Sequence, residues 1–196
     1  MRRVPPLKKI ADKVHERTVP IGDLSRAILD GSYEMAKSLR PSMSFKTQKE
    51  NEENWVYVLF EFQYLLLHLV SRLAVLQVGP EKRSILLEDL GPLVIQPTIN
   101  AIFGHWPDDL KNRIKSEYYE NLAKSEYEYG TCKHIWNDEG VDNMDDIVLH
   151  CSSKNVARMM GNENNLGLIL GVQQTLVHGL ENFQFNALLK KACDVL

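Results

Sequence analysis

One segment, residues 55–78, constrains the fold of this chain more than any other. It is long enough to span a bilayer, yet Glu61 and Arg72 are its only charged residues. Each charge near the middle of a membrane costs about 2.5–3.5 kcal/mol, so a helix buried inside a soluble bundle is the better interpretation. We therefore expect no membrane partner and a helix that is apolar nearly all round.

The one narrow polar line on this helix supplies the candidate site residues. At 100° per residue, five side chains fall within an arc of about 80°, and they are Tyr57, Glu61, Tyr64, His68 and Arg72. Inside a bundle, each of them must find a partner or become neutral. Three interpretations stay open: a satisfied interior network, the lining of a pocket for a small-molecule ligand, and a face against a partner subunit.

The rest of the chain predicts an all-α fold. Turn signals separate about six helices, and no run of alternating β-branched residues indicates a strand. The predicted helices cover residues 23–39, 52–78, 80–103, 107–136, 144–160 and 166–195. Together they predict a single-domain helical bundle, residues 21–196, preceded by a basic N-terminal arm, residues 1–20.

Proline and glycine positions refine this prediction. Pro92 and Pro97 are expected to kink or break the third helix, because each lacks the amide proton that a helix interior needs. Gly167, Gly171 and Gly179 each weaken the last helix, so we expect a neighbouring helix to approach it closely there.

The charge distribution is asymmetric along the chain. Residues 1–49 hold eleven basic and five acidic residues, a net charge of +6, whereas residues 50–196 hold twelve basic and twenty-one acidic residues, a net charge of −9. The overall charge of −3 argues against nucleic acid as a partner, which needs a clustered basic surface. The basic arm could lie against the acidic body or against an acidic partner.

Cysteine use and the N-terminus predict a cytoplasmic protein. Cys132, Cys151 and Cys193 are an odd number without a Cys-x-x-Cys pair, which favours a reducing compartment. Residues 1–9 run from arginines into prolines and lysines, with no apolar stretch of the kind that a secretory signal needs.

Metal binding is the weakest of the site hypotheses. Glu61 and His68 lie two helical turns apart, about 10.5 Å along the axis, and no Glu-x-x-His motif occurs in the chain. Cys132-x-His134 and His150-Cys151 together supply four side chains of the kinds that bind zinc, but neither pair has the usual spacing. We therefore expect no metal and no cofactor.

Three short motifs suggest a family resemblance. They are Glu61-Phe62-x-Tyr64-x-x-x-His68-x-x-x-Arg72, Glu126-Tyr127-x-Tyr129-Gly130 and Ala157-Arg158-x-x-Gly161. In these motifs, which span about residues 55–161, the chain resembles a group of uncharacterised all-helical bacterial proteins. The resemblance implies the helical fold and implies no reaction.

The function predicted from the sequence is a non-enzymatic helical module that binds another protein or itself. No Gly-rich phosphate loop, nucleophile elbow or dinucleotide fingerprint is present, so the common signatures of an enzyme are missing. The first alternative is a helical bundle that binds a small molecule in an internal pocket lined by the polar line. The second alternative is a metal-dependent redox protein.

Overall fold

A computed structural model describes residues 7–43, 47–136, 143–182 and 184–196, with side chains from residue 19 onward except at 48, 49 and 51. Six helices form a bundle: α1 (Leu7–Leu39), α2 (Gln48–Phe103), α3 (Asp108–Thr131), α4 (Val148–Met159), α5 (Leu166–Asn182) and α6 (Phe185–Asp194). No strand occurs in the described ranges. The predicted all-α bundle with a long second helix is confirmed.

Helix α2 is two helical arms joined at Gly79. This residue has φ 80° and ψ 171°, a region that glycine adopts without the clash of a β-carbon. Pro80 follows at the start of the second arm, where its missing amide proton costs nothing. The arms lie side by side, and the Gln63 amide donates a hydrogen bond to the Thr98 hydroxyl at 2.9 Å. The predicted boundary at Gly79-Pro80 is therefore confirmed.

The expected breaks at Pro92 and Pro97 do not occur. Gly79 is the only α2 residue with non-helical dihedrals, so the second arm continues through both prolines. A proline already has a helical φ, and each one removes only a single backbone hydrogen bond. The apolar packing of the arm, in which Val94 and Ile95 are fully buried, outweighs that loss.

Helix α1 begins at Leu7, earlier than the predicted start at Asp23. It passes through Pro20, the predicted end of the basic arm, so residues 7–20 of that arm are helical. Residues 1–6 of the predicted arm lie outside the described residues. From Ile21 onward the helix buries a regular apolar face in the core.

Two later boundaries also differ from the prediction. The fourth predicted helix ends at Thr131 rather than near residue 136, and the chain then pairs His134 with Ile147 in an isolated β-bridge. The predicted last helix is two helices, α5 and α6, because Gln184 takes a left-handed conformation with φ 48°. Gly130 lies beside the first break, whereas residues 180–196 around the second break contain no glycine or proline.

The first arm of α2 lies at the centre of the bundle. Val58, Phe62, Leu65 and Val70 are fully buried and pack against apolar residues from the surrounding helices. The most apolar stretch within residues 52–103 is long enough to cross a membrane, and 83% of it is buried inside the protein. Because the first arm of α2 is central, side chains on its different faces contact different neighbouring helices.

Candidate functional site

The structure divides the predicted polar line among different environments. Glu61, Tyr64 and His68 are buried, with 2%, 3% and 4% of their surface exposed. Arg72 is half-buried, and Tyr57 is 45% exposed. The line therefore points inward over its middle and reaches the surface at both ends, and its five residues do not converge on one site.

Glu61 lies in a hydrogen-bonded cluster with α3 and α4. The Tyr129 hydroxyl donates to Glu61 Oε1, and Asn155 Nδ2 donates to the same oxygen at 3.1 Å. The Asn155 amide also reaches Glu128 Oε2 at 3.1 Å, while Arg158 donates to Asn155 Oδ1 at 2.8 Å. For Glu61, these contacts are those of an interior hydrogen-bonded network, the first of the three interpretations of the polar line.

Burial raises the pKa of Glu61 to about 7, the charge on Glu128 acting in the same direction. The hydrogen bonds from Tyr129 and Asn155 oppose this increase without cancelling it. A carboxyl that titrates near neutrality could serve as an acid or base. Glu61 itself, however, is absent from the lining of the crevice of about 450 Å³ that Glu128, Asn155 and Arg158 border.

His68 and Arg72 belong to a separate surface crevice near the bend of α2. His68 Nδ1 lies 3.4 Å from Glu126 Oε2, although neither ring nitrogen has an aligned hydrogen-bond partner among the described residues. Arg72 donates to the backbone oxygens of Cys132 and Lys133, at 2.9 and 2.7 Å. The Arg72 guanidinium thus holds the end of α3 in place.

Tyr57 and Tyr64 line a different cavity, which we name the aromatic pocket. It has a volume of about 410 Å³ and lies between the start of α2, the turn after α2 and the face of α3. Its lining comprises Glu52, Glu53, Val56, Tyr57, Phe60, Tyr64, Ile102, Phe103, His105, Trp106, Ile114, Glu117, Tyr118 and Asn121. Six of these are phenylalanine, tyrosine or tryptophan.

The rings of the aromatic pocket hold each other at edge-to-face distances. The Tyr118 ring lies 5.1 Å from Phe60 and 4.8 Å from Tyr64, both in T-shaped geometry. At the turn after α2, Phe103 and Trp106 lie 4.9 Å apart. Ring pairs of this kind contribute about 0.5–1.5 kcal/mol to stability beyond the effect of their buried area. The walls of the aromatic pocket are therefore formed without a ligand.

The charges at the aromatic pocket are mainly negative. Glu52, Glu53 and Glu117 line it, whereas no lysine or arginine lines it among the side chains that the structure describes. The pKa of Tyr64 is raised, chiefly because the side chain is buried, and the charges on Glu61 and Glu117 add to the increase. The negative potential of Glu117 therefore reaches the pocket wall.

Three of the four candidate zinc ligands have side chains engaged in other contacts. Cys132 Sγ and Cys151 Sγ lie 3.4 Å apart as free thiols, and each contacts the backbone oxygen of Asp145. His150 Nδ1 pairs with Gln173 at 3.1 Å. Across the part of the chain that the structure describes, no three His, Cys, Asp or Glu side chains form a metal-binding group.

Most of the aromatic pocket was not predicted from the sequence. Only Tyr57 and Tyr64 of its six aromatic residues belong to the predicted polar line. The available signal was the spacing of Tyr57, Phe60 and Tyr64, which places three rings on adjacent turns of one helix face. That signal identifies an aromatic face but does not tell whether the face is filled or open.

The chain matches no protein-family model, no curated protein and no solved structure.

Proposed function

We propose that this protein is a non-enzymatic helical bundle that binds a small molecule in the aromatic pocket. The observation that carries the proposal is a preformed concavity of about 410 Å³ walled by six aromatic side chains. Pockets for small ligands have volumes of roughly 300–1,000 Å³ and mainly apolar walls with a few polar groups. The aromatic pocket meets each of these conditions.

The position of the pocket in the fold supports this proposal. Phe60, Tyr64 and Tyr118 are at least 94% buried and form a second apolar cluster with Ile95 and Ile99. Because these residues are fixed by the core, the inner wall is rigid. The outer wall, Trp106 in the turn between α2 and α3, is 37% exposed and borders the entrance. A ligand can therefore enter without unfolding a helix.

The other crevices of the described residues support ligand binding less well. A larger crevice, of about 680 Å³, lies beside the turn between α4 and α5 and has no aromatic ring in its lining. A crevice of about 410 Å³ beside Trp136 and Phe185 has only these two rings. Aromatic side chains supply most of the apolar area that a small ligand can bury, so the aromatic pocket is the stronger site.

Binding of a neutral fluorescent dye tests this proposal. N-phenyl-1-naphthylamine fluoresces strongly in apolar surroundings, and we expect the protein to bind it with a stoichiometry of one. Trp106→Ala removes one wall at a partly exposed position and should weaken binding roughly threefold to tenfold, the value of one aromatic contact. Ile114→Trp fills the pocket and should reduce binding further.

Tyr127→Ala is the matched control for these variants. Tyr127 is an aromatic residue of α3 that is 80% exposed and does not line the aromatic pocket. Its replacement should leave dye binding unchanged. An affinity that falls equally in Tyr127→Ala and Trp106→Ala, or a wild-type protein that does not bind the dye, would refute the proposed site.

Self-association is a second proposed function, supported by an exposed apolar face on α5. Leu166 and Leu170 lie one turn apart and are 71% and 56% exposed. Exposed leucines at this spacing are typical of helix–helix contacts between subunits. Light scattering after size exclusion tests this, with Leu166→Gln/Leu170→Gln as the variant. A wild-type monomer at every concentration would refute it.

A further inference from the structure

We propose that the ligand of the aromatic pocket is an organic ammonium cation carried on a compact apolar body. This inference rests on the proposed function and specifies the chemical class of its ligand. Two features of the lining select for a cation: the density of aromatic rings and the sign of the surrounding charge.

The aromatic rings provide the first source of selectivity. The face of each ring carries partial negative charge, which attracts an alkylammonium group lying within about 6 Å. Tyr57, Phe60, Tyr64, Phe103, Trp106 and Tyr118 enclose the cavity from three elements of the fold. A methylated ammonium group can contact several such faces at once, because its charge is spread over its methyl groups.

The carboxylates provide the second source. Glu117 on α3 and Glu52 and Glu53 on α2 line the pocket from opposite helices. A carboxylate attracts a cation over a longer range than a ring does, and the attraction strengthens where the walls exclude water. Among the described residues of the lining, His105 is the one basic side chain.

The same charges disfavour an anionic ligand. A phosphate or carboxylate in this cavity would meet the carboxylate of Glu117, and no lysine or arginine belongs to the described part of the lining. Arg72 and Arg83 border the separate crevice beside His68 and do not line the aromatic pocket. A neutral apolar ligand would gain the ring contacts but not the attraction of the carboxylates.

Choline and its uncharged carbon isostere, 3,3-dimethylbutan-1-ol, form a matched pair of probes with nearly the same shape. Calorimetric titration of each into the wild-type protein measures the contribution of charge alone. We expect choline to bind about tenfold more tightly, which corresponds to the upper range of a partly desolvated cation–π contact. Added sodium chloride should weaken choline binding and leave the isostere unaffected.

Glu117→Gln tests the carboxylate contribution at nearly constant volume, with Glu120→Gln as its control. Glu120 is an exposed glutamate of the same helix that does not line the pocket. We expect Glu117→Gln to reduce the preference for choline to threefold or less, and Glu120→Gln to preserve it. Equal loss in both variants would show that the net charge of α3, rather than the pocket, attracts the cation, and would overturn the inference.

The outcomes separate this inference from the proposed function. Binding of choline and of the isostere with equal affinity, or tighter binding of the isostere, overturns the cation inference. The neutral dye still binds in that case, and the proposed function stands. If neither probe nor the dye binds the wild-type protein, both the inference and the proposed function are refuted.

Discussion

The Tyr129 hydroxyl on α3 donates a hydrogen bond to the carboxyl group of Glu61 on α2. Both side chains are buried, and Asn155 of α4 shares the same carboxyl oxygen. Three helices are therefore joined through one ionisable group in the interior. Because burial raises the pKa of Glu61 to about 7, the stability of the bundle depends on whether this group is protonated.

We expect the Glu61 contribution to stability to fall as the pH rises. The pKa of the folded state, about 7, lies above the unfolded value of 4.5, so the unfolded chain ionises first. The contribution is complete below pH 4.5, decreases as the pH passes through 7 and is constant above that. The total change is about 3 kcal/mol in the free energy of unfolding.

Urea unfolding of wild type and Glu61→Gln between pH 4 and pH 8 measures this change. Glutamine keeps an oxygen that can accept from Tyr129 and Asn155 but does not ionise. The difference in unfolding free energy between the two proteins should therefore shift by about 3 kcal/mol in favour of the variant as the pH rises. A difference that is independent of pH would contradict the buried position of Glu61.

Two buried tyrosines of α3 are expected to respond oppositely to removal of the hydroxyl. Tyr129→Phe leaves the Glu61 carboxyl without one of its donors and should destabilise the protein by about 1–3 kcal/mol. The Tyr118 hydroxyl has no hydrogen-bond partner among the described residues, so Tyr118→Phe should be neutral or stabilising. Thermal or urea unfolding at pH 6 compares the two. Equal destabilisation would show that the Tyr118 hydroxyl has a partner.

The sequence was sufficient to predict features that depend on local pattern. The nearly uncharged character of residues 55–78 predicted a central buried helix, and Gly79-Pro80 predicted its boundary. The ends of the polar line were harder to predict, because a helical wheel gives the direction of Tyr57 and Arg72 but not where the neighbouring helices stop. Exposure of Tyr57 follows from that tertiary arrangement.

The aromatic pocket could not be predicted for a similar reason. Its walls come from Phe60 and Trp106, which are far apart in the sequence, and from Tyr118 on another helix. Only the fold-back of α2 at Gly79 brings the two ends of that helix together against α3. The break before α6 was also missed, since Gln184 adopts a left-handed conformation that its residue type rarely takes.

Gly171 and Gly179 of α5 provide a matched pair of glycine-to-alanine substitutions. A β-carbon at Gly171 would have no neighbour within 4 Å, so Gly171→Ala should stabilise the protein by about 1 kcal/mol through helix propensity. A β-carbon at Gly179 would lie 2.6 Å from Met35 Sδ of α1, so Gly179→Ala should be less stable than Gly171→Ala by at least about 1 kcal/mol. Equal effects in urea unfolding would contradict the close α1–α5 approach.

Cys132 and Cys151 are expected to cross-link under a diazene oxidant. Their sulfur atoms lie 3.4 Å apart, so both thiols can lose hydrogen to the diazene, which is reduced to a hydrazine as the disulfide forms. The reaction should be slow at neutral pH, because burial raises the pKa of both thiols, that of Cys151 to about 12. Mass spectrometry should find the cross-link in Cys193→Ser and not in Cys151→Ser. A cross-link to Cys193 in wild type would contradict this geometry.

Methyl NMR during titration with N-phenyl-1-naphthylamine tests the account most directly, because it locates the bound dye. The methyl groups of Val56, Ile102 and Ile114 line the aromatic pocket, whereas those of Leu166 and Leu170 lie on the exposed face of α5. We predict that the three pocket resonances shift together with one dissociation constant and that the α5 resonances do not move. Shifts confined to α5, or no shift at the pocket at saturating dye, would contradict the proposed binding site.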